Sequence, residues 1–144
     1  MIKAVLDTNL LVSGIVGFTK PDNIPGKILH LWYKKHFSLV TSEPLIQEVL
    51  RTLRTPYFEK HVTPQRASRL TALLRYQSIL TPITAKVEGI ATHSEDDIVL
   101  TTALSGEAQF IVSGDEKLQK LRKFKQINIP KPQQFLNQIS TMIE

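Results

Sequence analysis

Two acids in this sequence stand just beyond apolar runs: Asp7 after IKAVL, and Asp115 after FIVSG. A strand that is apolar along its whole length reads as buried on both faces, which is the mark of a parallel sheet. In such sheets ligands sit outside the carboxyl ends of the strands. If both strands are central and parallel, Asp7 and Asp115 project from the same edge. Asp96 and Asp97 open the helix that leads into the second strand, and Glu48 lies on the helix after another strand. Acids from distant parts of the chain could therefore meet at one mouth. Clustered carboxylates repel one another and take up protons unless a cation joins them. The absence of Cys, and of His at ligand spacing, favours Mg²⁺ or Mn²⁺ over zinc. Mg²⁺ keeps several waters and takes only one or two carboxylates directly, so the remaining acids would act through water. Water held between a metal and a carboxylate is a nucleophile for a phosphodiester.

Each acid also has a simpler role open to it. Asp7, with Thr8 and Asn9, could form a turn, because all three side chains bond their own backbone. Asp115 in SGDEKL could be an ordinary helix N-cap. Asp97 follows Ser94 at capping-box spacing, which favours a structural role for it. Glu48 has Arg51 three residues on, so a surface pair is the alternative there.

The elements that would position these acids alternate along the chain. Ile2–Leu6 reads as a strand, Asn9–Val16 as a helix, and Gly17–Pro25 as a surface loop. Ile24–His36 has helical spacing of its apolar residues, and Ser38–Thr41 is a short strand. Ser42 and Thr63 look like N-caps, with Pro44 and Pro64 in the first turns of helices running to about Leu53 and Tyr76. Ser78–Ile83 is strand-like but contains Pro82, which suits an edge. Ser94–Ser105 is a helix with Gly106 as its cap. Gln109–Val112 is a strand, Asp115–Lys123 a helix, Gln126–Ile129 a strand and Pro132–Ile143 a last helix. Strands alternating with helices predict an α/β domain with a parallel sheet covered on both faces.

The 144 residues suit one domain, 1–144, large enough to bury a core without staples. The lack of Cys excludes disulfides and thiol nucleophiles and fits a cytoplasmic location. The uncharged stretch Thr8–Thr19 is too short to span a bilayer, and the start of the chain does not resemble a signal peptide. No membrane role is expected. A net charge of +5 favours polyanionic partners.

Taken together, AVLDTNLLVSG (4–14), SEPLIQEVL (42–50), EDDIVLTTAL (95–104) and FIVSGDEKL (110–118) resemble the PIN-domain ribonucleases. Within that family the likeness is to the toxin components of toxin–antitoxin modules. The closing NIPKPQQFL (128–136) is similar to the family's C-terminal end. The resemblance implies a three-layer α/β/α sandwich, often a homodimer, that cleaves single-stranded RNA with Mg²⁺ or Mn²⁺. It places the family's acids on Asp7, Glu48, Asp96 and Asp115, with Asp96 seven residues before Ala103. Asp7, Asp96 and Asp115 are then the expected metal ligands. Thr8, Asn9 and Ser113 match the family's supporting polar residues, and Asp97, beside Glu95, crowds the third acid position. An antitoxin protein is the implied partner.

Competing readings are weaker. DTN is similar to the opening of haloacid-dehalogenase phosphatases, but their second Asp is replaced by Asn9. A response-regulator receiver needs paired acids where Leu6 precedes Asp7. No Gly-rich phosphate loop is present. The basic run 116–125 could track an RNA backbone or form a solvated helix face over Leu118 and Leu121. Arg51, Arg54, Arg66, Arg69 and Arg75 form a second candidate surface. Trp32, Tyr33 and Phe37 suit core or dimer contacts better than base stacking. The expectation is a metal-dependent endoribonuclease. The alternative is a non-catalytic RNA- or partner-binding domain on the same fold.

Overall fold

A computed structural model describes residues 1–85 and 94–143, with the side chains of 94–96 outside that description. The elements run β1 (Lys3–Leu6), α1 (Thr8–Val16), α2 (Ile24–Tyr33), β2 (Ser38–Thr41), α3 (Glu43–Leu53), α4 (Pro56–Glu59) and α5 (Pro64–Gln77). They continue with β3 (Ile79–Leu80), α6 (Ser94–Ser105), β4 (Phe110–Val112), α7 (Glu116–Leu121), β5 (Lys123–Phe124), β6 (Ile127–Asn128) and α8 (Pro132–Ile143).

Among the described residues six strands form one sheet, in the order β3-β2-β1-β4-β6-β5. Every pairing is parallel except β5 with β6. Successive side chains of a strand point to opposite faces. Ala4, Val5 and Leu6 are 0%, 0% and 1% exposed, so helices cover both faces of the sheet. β1 and β4 are the central pair, aligned Leu6 to Val112, so their carboxyl ends finish level. That register brings Asp7 and the segment after Val112 to the same edge. α6 packs on β1, β2 and β4, while α1 packs against α2 and α3. Among the described residues, no helix is long and apolar enough to cross a membrane.

Several boundaries differ from the sequence expectation. The helix expected over 115–123 stops at Leu121, because Lys123 and Phe124 pair antiparallel with Asn128 and Ile127. The turn between them holds Lys125 at φ 55°. The loop expected over Gly17–Pro25 ends sooner: Asn23 caps α2 by accepting from the Gly26 N–H at 2.7 Å. The edge strand expected over Ser78–Ile83 contracts to β3. A short helix, α4, follows Thr55 where none was expected. Gly106 is not the left-handed residue after α6; Glu107 is, at φ 55°. Gly106 serves close packing instead, since a Cβ there would lie 2.5 Å from the Val40 side chain.

Candidate active site

Asp7 ends β1 and caps α1. Its Oδ1 accepts the Leu10 N–H at 2.8 Å, and its Oδ2 accepts the Ser113 hydroxyl. It is buried, at 6% exposure. Asp115 caps α7, its Oδ1 accepting from the amides of Lys117 at 2.7 Å and Leu118 at 3.4 Å. Both carboxylates therefore sit at helix N-termini, where exposed amides and the helix dipole favour negative charge. The capping role open to Asp115 in the sequence is real, Asp7 caps a helix where a turn was the alternative, and the two caps aim these acids.

Ser113 joins the two strand ends. Its hydroxyl donates to Asp7 and accepts the Asp115 N–H at 2.9 Å. Its carbonyl accepts the Gln119 side-chain amide at 2.7 Å, tying α7 back to β4. Ser113 is fully buried. Ser113, expected as a supporting polar residue, meets Asp115 through the backbone amide and bonds Asp7 directly.

Asp7 and Asp115 line one cleft of about 570 Å³, together with Asn9, Gly114, Gln119 and Lys131. Ile24 and Pro25 from the start of α2, with Leu10 and Pro132, supply apolar lining. Among the described residues, Asp7, Asp115 and Lys131 are the charged members of that lining. Sequence reasoning missed Gln119 and Lys131. Gln119 was hidden inside a run scored only for its positive charge, and Lys131 looked like one more surface lysine.

The other candidates stand differently. Asp96 lies on the first turn of α6, but its side chain falls outside the described residues, as does that of Glu95. Asp97 is half-buried on the same turn and has interaction partners. Glu48 does not line the cleft; its carboxylate pairs with Arg51 one turn along α3. Thr8 buries a hydroxyl that has no hydrogen-bond partner among the described residues. An unsatisfied buried hydroxyl costs about 1–3 kcal/mol, so a bound water or ligand at the start of α1 would relieve it.

Among the described residues, no group of three or more His, Asp or Glu side chains gathers closely enough to form a metal cage. Mg²⁺ does not require one. It binds through one or two carboxylates and fills its octahedron with water and substrate phosphate. A cleft lined by Asp7, Asp115 and the Asn9 amide offers hard oxygen donors of that kind.

The expected basic and aromatic surfaces resolve mostly into structure. Arg75 clamps Glu43 between α5 and α3, with Nη2 at 2.5 Å and Nε at 3.2 Å. That pairing holds the Glu43 carboxyl below its ordinary pKa and raises Arg75. Arg66 donates to the Ile15 carbonyl at the end of α1. Trp32 and Phe37 are buried in the core, and Tyr33 is exposed. Of the two leucines that the solvated-face reading buries, Leu118 is fully buried and Leu121 partly so.

The family model described as PIN domain matches residues 3–117. Over 150 aligned residues, the chain is 27% identical to the uncharacterized protein MJ1680 of Methanocaldococcus jannaschii. That alignment covers 99% of this chain and 94% of the relative.

Proposed function

The chain belongs to the PIN-domain family, a nuclease-type family, and on that premise we propose a metal-dependent endoribonuclease that cuts single-stranded RNA. The observation that carries the proposal is the pairing of Asp7 and Asp115 on one cleft at the carboxyl ends of the two central strands.

Asp7, Asp96 and Asp115 hold Mg²⁺ or Mn²⁺ in this reading, and Glu48 completes the acidic set. An ion held there would supply positive charge to offset the carboxylates and the scissile phosphate, and Lewis acidity to activate water. The protein's own task is positioning. The Leu10 amide and the Ser113 hydroxyl fix the orientation of Asp7. A carboxylate offers about four lone-pair sites, so these bonds do not exhaust its capacity to accept. Asp115 receives the proton of the attacking water, directly or through a second water. Asn9 hydrogen-bonds water at the mouth, and Asp97 supports the third acid. Lys131 supplies the cleft with positive charge for the phosphodiester.

The reading extends to one catalytic domain over 1–144, a homodimer, and the toxin role of a toxin–antitoxin module with an antitoxin protein as partner in the cytoplasm. The resemblance of the LDTN and SGDEKL segments supports that extension. Purified protein incubated with mixed-sequence single-stranded RNA should generate internal cuts with Mn²⁺ or Mg²⁺ and none with EDTA. Cutting that persists undiminished in EDTA would refute the metal-dependent mechanism.

A further inference from the structure

The acid cleft continues past Lys131. Gln119 and Lys131 are shared with a second groove of about 600 Å³, whose other polar walls are Arg122, Asn128, Gln134 and Gln138. Among the described residues lining this groove none is acidic, and the charged ones are Arg122 and Lys131. Neither cation forms an ion pair among the described residues. The neighbouring cleft carries the acids; this groove carries cations and carboxamides. A guanidinium matches a phosphate in a two-pronged fork. A carboxamide both donates and accepts, so it can pair with the edge of an unstacked base.

The backbone at Arg122 adds a second observation. Arg122 has φ 55°, in the left-handed region that glycine occupies at least cost. Its N–H bonds the Gln119 carbonyl at 3.0 Å, and its carbonyl accepts from Ile129 at 2.9 Å. A long cationic residue is therefore held where glycine would fit the backbone better. It stands at the junction of α7 and the β5–β6 hairpin, which forms one wall of the groove. Arg122, Asn128, Lys131, Gln134 and Gln138 all lie C-terminal to the family-matched segment.

We infer that this groove is a nucleotide-binding subsite, through which the RNA strand leaves the acid cleft. Arg122 and Lys131 hold backbone phosphates, and the carboxamides face the bases. The inference rests on the nuclease reading of the adjoining cleft.

Binding is measured on the Asp7→Asn protein by fluorescence anisotropy, with a labelled mixed-sequence RNA about ten nucleotides long. Arg122→Gly is added in that background and should weaken binding about five- to tenfold at low salt. It should also flatten the dependence of log Kd on log salt by about 0.7, one phosphate contact to a single strand. Its Tm should hold or rise, because glycine relieves the φ of residue 122. Arg122→Lys keeps the charge but not the fork, and should restore the salt slope with only part of the affinity. Gln138→Glu places an acid on an exposed helix position in the groove and should also weaken binding. Lys60→Ala removes an equal charge from outside both grooves and should leave affinity and slope nearly unchanged. If Arg122→Gly lowers Tm, Gln138→Glu decides.

Wild-type affinity and slope in both Arg122→Gly and Gln138→Glu, with native cleavage intact, would overturn this inference and leave the nuclease reading standing. Failure of the native chain to cut RNA, together with failure of Asp7→Asn to bind it, would overturn both.

Discussion

At the scale of the residue, Asp7 carries the most consequences. It caps α1 and lines the cleft, so different substitutions separate its two tasks. Asn caps a helix about as well as Asp. Asp7→Asn should therefore keep the fold, with Tm within a few degrees of the parent, while RNA cleavage is lost. Asp7→Ala removes the cap as well, and should cost about 0.5–2 kcal/mol in chemical denaturation. Ser113→Ala should lower activity and stability together, at about 1–3 kcal/mol, because it removes the hydroxyl that donates to Asp7 Oδ2 and accepts the Asp115 N–H. A Ser113→Ala protein of parental stability would mean that the hydroxyl is not holding the strand ends. The types and order of Asp7 and Asp115 were legible in the sequence, because each follows an apolar strand. The Glu48–Arg51 pair was legible only as one of two options, since i,i+3 spacing allows the pair without requiring it. Lys131 was not legible, because nothing local reveals that α8 begins beside the acids.

At the scale of the element, the start of α2 shapes the cleft. Ile24 and Pro25 line it, and Gly26 lets α2 begin against the end of α1. A Cβ at position 26 would lie 2.4 Å from the Gly17 carbonyl oxygen. Backbone cannot yield as a flexible side chain can, so Gly26→Ala should destabilise by about 1–3 kcal/mol, read from urea midpoints. The Arg75–Glu43 clamp between α5 and α3 has a pH signature. Because Arg75 lowers the folded-state pKa of Glu43, its stabilisation is full above the ordinary value of 4.5 and is lost as pH falls through the lowered one. Arg75→Ala should cost about 0.2–1 kcal/mol near neutral pH at low salt, as exposed pairs do, and little in strong acid or high salt. A stability loss independent of pH and salt would contradict the ion-pair account.

The long apolar strands and the capped helices were readable from local patterns, and α8 spans the expected residues. The end of α7 was not, because Lys123 and Phe124 leave the helix for a pairing with Asn128 and Ile127, and cross-strand pairing leaves no local mark. Gly106 shows the same limit: its reason for being glycine is Val40, on another element.

At the scale of the whole molecule, the parallel register of β1 with β4 finishes two strands level, and the helices that follow begin with acids. The chain's net charge of +5 favours polyanionic partners. Metal binding should be visible without any substrate. Mn²⁺ at a hundredfold excess over its dissociation constant should stabilise the native protein by about 2.7 kcal/mol, and Asp7→Asn should lose most of that gain. The most direct measurement is cleavage of mixed-sequence single-stranded RNA with Mn²⁺, by the native chain and by Asp7→Asn side by side. Internal cutting by the native chain, abolished in the equally well-folded variant, is the predicted result. Cutting at the native rate by Asp7→Asn would contradict a catalytic centre built on that acid.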